Sequence, residues 1–292
     1  MALARAQWRG MNDLIRHLPG RSALVLDSPH SGTVYPADFG HVCPLDALRR
    51  AEDTHVDRLY DFASGLGIHW VEALFPRSYV DVNRSLAEID VGLMDAPWPG
   101  EGPETEAHKS KVKLGKGLIW RLTDEGRPLY QRKLSVQEVQ SRIERCWKPY
   151  HAALDAAVHA ARSAHGYCIH LNCHSMPAVS SSHATDYPGL VHPDFVVGNR
   201  DHSTSSPALA EWLCEQLRSA GYSVWLNHPY KGVELVRRHG RPAEHCHSLQ
   251  LELSRALYMD EQTLQLKPGF DALQSDLRQL VERLLTLDPR QL

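Results

Sequence analysis

Apolar and polar positions along the chain fall into two rhythms. Short apolar or alternating runs predict strands at "SALVLD" (22–27), "IHWVEALF" (68–75), "SYVDVN" (78–83), "YCIHLNCHSMP" (167–177), "HPDFVVGN" (192–199), "YSVWLN" (222–227) and "HSLQLELSRALYM" (247–259). Between them the spacing lengthens to that of helices. Residues 44–67 place Leu45, Leu48, Val56, Leu59, Tyr60 and Phe62 for one or two helices. Residues 135–166 give the longest helical pattern, with Ser135 as N-cap and Gly166 at the stop. Further helices are expected over 206–221 and 270–286. Alternation of this kind predicts one α/β domain with a mixed, largely parallel sheet. The stretch 86–118, rich in proline, glycine and charge, reads as a long loop or lid.

Composition narrows the field only slightly. A chain of 292 residues, 42% apolar and 23% charged, is ordinary for a soluble globular domain. Its net charge of -3 supplies no basic field and argues against nucleic acid as a partner. No run approaches the roughly 20 apolar residues of a membrane helix, and "MALARAQWRGMNDLIRHLPG" lacks a signal-peptide core. The six cysteines are scattered without a C-x-x-C pair, as expected of reduced core cysteines in a cytoplasmic protein. The 18 histidines raise the expectation of a metal site mildly.

In open α/β sheets ligands gather beyond the carboxyl ends of strands, so polar residues there carry the candidate chemistry. His30 ends the first predicted strand, Asp81-Val82-Asn83-Arg84 another, and His174 a third, while Glu252 sits inside the apolar "LQLEL". Each alone reads equally well as structure: a hydrogen-bonded histidine, or a carboxylate facing solvent with Gln250 and Ser254, which share its parity. If that face lines a cleft instead, burial raises the Glu252 carboxyl and suits it to general-base work. Two histidines and a carboxylate around an open position make a hydrolytic zinc site. Asp27, Glu52, Asp53 and Asp57 are the candidate carboxylates, with His55 a further candidate ligand. Ser31 beside His30 lacks the turn of a nucleophile elbow, and H-E-x-x-H, P-loop and G-x-G-x-x-G patterns are absent.

Seven segments in order carry a resemblance: "SPHSG" (28–32), "DTHVDRLYDFA" (53–63), "PRSYVDVNRS" (76–85), "NCHSMP" (172–177), "PDFVVGN" (193–199), "YKGVELVRRHGRP" (230–242) and "LQLELSRALYMDE" (249–261). Together they resemble the N-formylglutamate amidohydrolases, which are related to the zinc carboxypeptidases and aspartoacylases. The resemblance implies a three-layer α/β/α sandwich of the zinc carboxypeptidase-like, phosphorylase/hydrolase-like type, spanning 1–292 as one amidohydrolase domain. It implies one Zn2+ per chain on His30, Asp53 and His174. The carboxypeptidase carboxylate position, three after the first histidine, is Thr33 here; Asp53 is therefore preferred, with Glu52 or His55 as fallbacks. It further implies Glu252 as general base toward a metal-bound water, Arg77 polarising the carbonyl, and Asn83, Arg84 and Arg237 gripping the substrate's carboxylates.

The implied partner is a small-molecule N-acyl amino acid, N-formyl-L-glutamate first. One departure bears on that choice: where the histidine-degrading deformylases carry Lys-Gly-Gly and then Arg-His, this chain has Lys231-Gly232-Val233 and Arg237-Arg238. A related enzyme for another N-acyl amino acid is the nearest alternative, and a non-catalytic binder of an acidic metabolite is the second.

Overall fold

The computed structural model describes residues 14–182 and 187–292; the first thirteen residues, on which much of the signal-peptide reading rests, lie outside them. Among the described residues seven strands form one sheet: β1 (Ile15–Leu18), β2 (Leu24–Ser28), β3 (His69–Ala73), β4 (Cys168–Met176), β5 (Phe195–Gly198), β6 (Val224–Leu226) and β7 (Cys246–Ser254), in the order β1-β3-β2-β4-β7-β5-β6. The β3-β2-β4-β7 centre is parallel throughout, β1 and β5 run antiparallel to their inner neighbours, and β6 is parallel to β5. The expected α/β class and mixed, largely parallel sheet are present.

The helices are α1 (Leu45–Arg49), α2 (Val56–Leu59), α3 (Glu106–Lys113), α4 (Val136–Arg142), α5 (Lys148–His165), α6 (Pro207–Ser219), α7 (Glu234–His239) and α8 (Phe270–Thr286). A π-type turn over Ile143–Trp147 joins α4 to α5 in one run. That run begins and ends as its sequence dictates. Ser135 and Glu138 form a reciprocal capping box, and Gly166 closes it in the left-handed conformation. Residues 44–67 break into two short helices because His55 takes a left-handed backbone between them.

Two apolar layers cover the sheet. One gathers Val25, Val71, Cys168, Leu154 and Ala157 under α4–α5; the other gathers Leu26, Ile169, Leu171, Leu249, Leu251 and Leu253 under α2, α6 and α8. Each fully buried aliphatic side chain contributes about 1.5–3 kcal/mol relative to exposure. The six cysteines are free and buried.

Two segments depart from the sequence reading. "SYVDVN" (78–83) is no strand: it curls around its own carboxylate, Asp81 Oδ1 accepting from the Asn83 amide at 2.9 Å while the Asp81 amide donates to Leu118 O at 2.9 Å. Its apolar residues Tyr79, Val80 and Val82, interleaved with polar ones, mimic a strand in the sequence, but all of 78–83 is buried and these three pack in the helical layer. The seventh strand is instead β1, whose four residues are too few and too polar to stand out. Residues 86–118 hold a 3-10 turn and α3, and Leu93, Met94 and Leu118 are buried in the core.

Candidate functional site

Strand parity sets up the site. Odd positions of β4 and β7 face one apolar layer, so the even positions His170, Asn172 and His174, and Ser248, Gln250 and Glu252, share the opposite face. The parallel register pairs His170 with Ser248, Asn172 with Gln250, and His174 with Glu252. Glu252 does share parity with Gln250 and Ser254, but that face is covered: Glu252 is only 8% exposed. His30 arrives just beyond β2, in register beside β4. Gly32 permits that approach, because a Cβ there would lie 2.3 Å from Leu74 C and 2.4 Å from Phe75 O, both backbone atoms.

His30, Asp53 and His174 converge, one donor atom from each lying within 4.8 Å of the others, all three buried. His174 Nδ1 stands 2.9 Å from Asp53 Oδ2, and His30 Nδ1 stands 3.4 Å from the same oxygen without hydrogen-bond geometry. Ser31 helps to place Asp53: its hydroxyl donates to Asp53 O at 3.0 Å and pairs with Ser28 Oγ at 2.6 Å, while the Asp53 amide donates to His30 O at 3.0 Å. Ser31 is thus a clamp on the backbone of the carboxylate residue. The alternatives turn elsewhere. Glu52 accepts from Tyr35, and His55 Nε2 donates to Leu264 O at 3.0 Å.

The donor chemistry fits a divalent cation. His30 Nε2 is held 2.8 Å from Asp81 Oδ1, which leaves Nδ1 as the lone-pair nitrogen, and this buried atom has no hydrogen-bond partner. Burial pushes the Asp81 carboxyl up, but His30, Arg77 and Arg84 outweigh it and hold the group well below the usual carboxylate range. The same balance, with His174 and His30 opposing burial, keeps Asp53 ionised. Two imidazoles and one carboxylate, oriented by further carboxylate and amide groups, form a donor set that suits a divalent metal.

Glu252 lies beside this cluster. Burial first, and the Asp53 charge after it, push its carboxyl up to about 7, against the pull of His174, Arg77 and Arg255. Gln250 Nε2 donates to its Oε1 at 2.9 Å. Arg77 places Nη2 and Nε at 3.0 and 3.3 Å from Asp81 Oδ2 and lies over the Trp120 ring at 5.0 Å. Asn83 accepts the Leu235 amide on Oδ1 at 2.9 Å and sets Nδ2 3.3 Å from His174 Nε2. Arg84 is buried, donating to Lys116 O and Asn83 O at 3.0 Å each. Arg237 is the outlier among the nominated residues. Its guanidinium pairs with Glu234 on its own helix, and its side chain is 56% exposed.

Two contributors escaped the sequence reading, and a third, Asn172, entered it only within the "NCHSMP" segment. Arg255 donates to Asp53 Oδ1 at 3.2 Å and to Ser175 Oγ at 3.1 Å, fixing the carboxylate from its far side. Trp120 donates to Asp81 Oδ2 at 3.3 Å. Asn172 Oδ1 stands 2.7 Å from His174 Nε2. An arginine three residues past a buried glutamate, and an asparagine inside an apolar strand, were the available signals.

Comparison with known proteins decides the family. The sequence profile of the N-formylglutamate amidohydrolases matches residues 22–259. The chain belongs to the N-formylglutamate amidohydrolase family. A curated N-formylglutamate deformylase of Pseudomonas aeruginosa is 32% identical over 282 residues, covering 94% of this chain and 97% of that protein. One from Pseudomonas putida is 31% identical, covering 86% and 87%. The crystal structure of an N-formylglutamate amidohydrolase from Ralstonia eutropha JMP134 superposes with a TM-score of 0.88 at 43% identity, over 96% of this chain and 99% of the other. A gene product of Agrobacterium tumefaciens shares the fold at a TM-score of 0.66 and 17% identity. Among the described residues no helix is long and apolar enough to cross a membrane.

Proposed function

We propose that this amidohydrolase hydrolyses the amide bond of N-formyl-L-glutamate, releasing formate and L-glutamate, with one zinc ion per chain held by His30, Asp53 and His174. The observation that carries the reading is the buried His–Asp–His cluster with an unpartnered His30 Nδ1, set beside a buried Glu252, in a chain similar along nearly its whole length to named N-formylglutamate deformylases. When bound, zinc supplies Lewis acidity to the scissile carbonyl and to a water.

The chain's own groups supply the rest. Glu252, with a carboxyl near neutrality, takes a proton from the attacking water and delivers it to the departing amine nitrogen. Arg77 commits Nε and Nη2 to Asp81, and its Nη1 edge serves the developing oxyanion. Asn83 and Arg84 receive a substrate carboxylate, a role suited to planar guanidinium chemistry. Arg237, the candidate for the second carboxylate, has an exposed guanidinium that is engaged by Glu234 in this structure and would have to leave it to take that role.

The test is metal content together with formate release. Purified protein is expected to hold about one zinc per chain and to release formate from N-formyl-L-glutamate. A screen of formyl, acetyl and succinyl derivatives of glutamate, aspartate and histidine then ranks the substrates. Stoichiometric zinc with no turnover of any of them would overturn the reading in favour of a silent binder. Turnover confined to another acyl group would replace the substrate.

A further inference from the structure

A further cation stands at the rim of the site, on the turn that follows α3. Lys116 and Trp120 face each other across an antiparallel bridge, which sets their side chains on one side of the turn. The backbone of this turn is tied down at several points. Lys116 accepts Arg84 Nε on its carbonyl oxygen at 3.0 Å and donates its amide to Lys111 O at 2.9 Å, while Leu118 O receives the Asp81 amide at 2.9 Å. Gly115 turns the chain in the left-handed conformation, and a Cβ on Gly117 would lie 2.3 Å from Glu88 O. The main chain of Lys116 is therefore fixed, and only its side chain can swing.

That side chain shares a ring with the site. Lys116 Nζ lies 5.4 Å from the centre of the Trp120 ring, and Arg77 Cζ lies 5.0 Å from the same centre. Trp120 also donates to Asp81 Oδ2 at 3.3 Å, so one indole joins Lys116, Arg77 and the carboxylate that orients His30. The Lys116 ammonium pairs with Asp124 of the same turn. The Asp124 charge reaches Arg77, Arg255 and the Tyr230 hydroxyl, and the Asp53 charge reaches the same three groups from the His–Asp–His cluster. With side chains 28% and 42% exposed, Lys116 and Asp124 stand where the site meets solvent.

Lys116 and Arg237 differ in what each would leave behind on turning to a ligand. Arg237 grips Glu234 through Nε and Nη2, and the Glu234 side chain is only 7% exposed. Drawing Arg237 away strands a buried carboxylate without its partner, which is costly. Asp124 keeps its contact with water when Lys116 departs, and an ion pair between two half-exposed groups is weak from the start. Arg84, joined to the Lys116 carbonyl, is already buried beside Asn83, so the two neighbours offer one fixed cation and one movable one. We propose that Lys116 is a specificity-determining residue: its ammonium leaves Asp124 to take the side-chain carboxylate of an acidic N-acyl amino acid, while Asn83 and Arg84 hold the other carboxylate. The assignment rests on the amidohydrolase reading above and names the residue that makes the site select an acidic side chain.

The experiment pairs N-formyl-L-glutamate with N-formyl-L-glutamine, in which an amide of the same size replaces the side-chain carboxylate. Formate release gives kcat and KM for each, and calorimetry with L-glutamate and L-glutamine gives a binding preference that needs no turnover. The wild type is expected to favour the acidic member of each pair by at least about tenfold, the usual reach of a charged hydrogen bond. Lys116→Met keeps the apolar stem against Trp120 and is expected to bring both preferences near unity, chiefly through a raised KM for N-formyl-L-glutamate. Lys116→Arg is expected to restore most of the preference. Asp124→Asn releases the ammonium beforehand and is expected to lower that KM; a raised KM would show that Asp124 holds Lys116 in place, and would overturn the exchange. A preference that is absent in the wild type, that survives Lys116→Met, or that is lost in Arg237→Met instead would overturn the proposal. Should Lys116→Met not fold, Lys116→Gln decides it on the same terms. A wild type that binds L-glutamate selectively through Lys116 yet releases no formate would support the proposal and overturn the amidohydrolase reading.

Discussion

His151 offers a measurement of how strongly the helical layer excludes charge. Its ring lies on Trp147 with centroids 3.7 Å apart, Nε2 donates to Val82 O at 2.9 Å, and Nδ1 is buried without a partner. Burial lowers its pKa from 6.5 to about 4. The unfolded chain protonates this histidine near pH 6.5 while the folded chain does not, so its contribution to stability is complete above pH 6.5 and is lost as pH falls toward 4. At pH 5 the gap between 6.5 and 5 amounts to about 2 kcal/mol, at 1.36 kcal/mol per unit. The whole-protein slope does not report this alone. Glu52 and Glu252, both raised to about 7, take up protons in the folded state over the same range and offset it. The perturbation is therefore His151→Gln, compared with wild type by urea unfolding in EDTA at pH 8 and pH 5. The mutant's deficit at pH 8 should shrink by about 2 kcal/mol at pH 5, with an m-value equal to that of the wild type. A difference between the two proteins that is the same at both pH values, within about 0.5 kcal/mol, would refute the claim that His151 is kept neutral by burial.

Other expectations concern the site. Glu252→Gln should keep zinc at wild-type stoichiometry and lose formate release by a factor of at least about 100, within the usual span for a general base, as followed by coupled formate assay; near-wild-type turnover would remove Glu252 from that role. Asp81→Asn should weaken zinc by about 10–100-fold in chelator competition, since it replaces the carboxylate that orients His30. Gly32→Ala should destabilise the fold by about 1–3 kcal/mol in urea unfolding, because its Cβ meets backbone atoms that have nowhere to move. Arg255→Lys should lower zinc affinity more than it lowers stability, since Lys cannot span Asp53 Oδ1 and Ser175 Oγ at once.

What the sequence made legible follows from how local the signal is. The helix from Val136 to His165 and the one over Phe270–Thr286 declare themselves through caps and period, and the central strands through apolar runs bounded by breakers. The 78–83 segment misled because polar and apolar residues interleave in its sequence although every one of them is buried, and such a pattern alone does not distinguish a pleat from a packed loop. His30, His174 and Glu252 were visible because they interrupt apolar strands. Asp53 was visible as one of four candidate carboxylates, but its preference came with the family resemblance, because choosing it over Glu52 and His55 depends on side-chain directions that a short, kinked helical region does not encode in its spacing. Arg255 and Trp120 act across long sequence separations, 202 and 39 residues from their partners, where no periodicity reaches.

The two faces of β4 and β7 divide the effects of mutation between them. A conservative change at Ile169, Leu171, Leu249 or Leu251 alters how well the sheet seats its apolar cover, and catalysis is left to follow stability. A change of equal size one residue along, at Asn172, His174, Gln250 or Glu252, alters chemistry with little apolar area at stake. A deletion of one residue within either strand would do both at once, exchanging the oily and reactive faces over every position beyond it. Variation in this enzyme is thus free to drift by substitution along alternate residues, while the length of these two strands is held fixed.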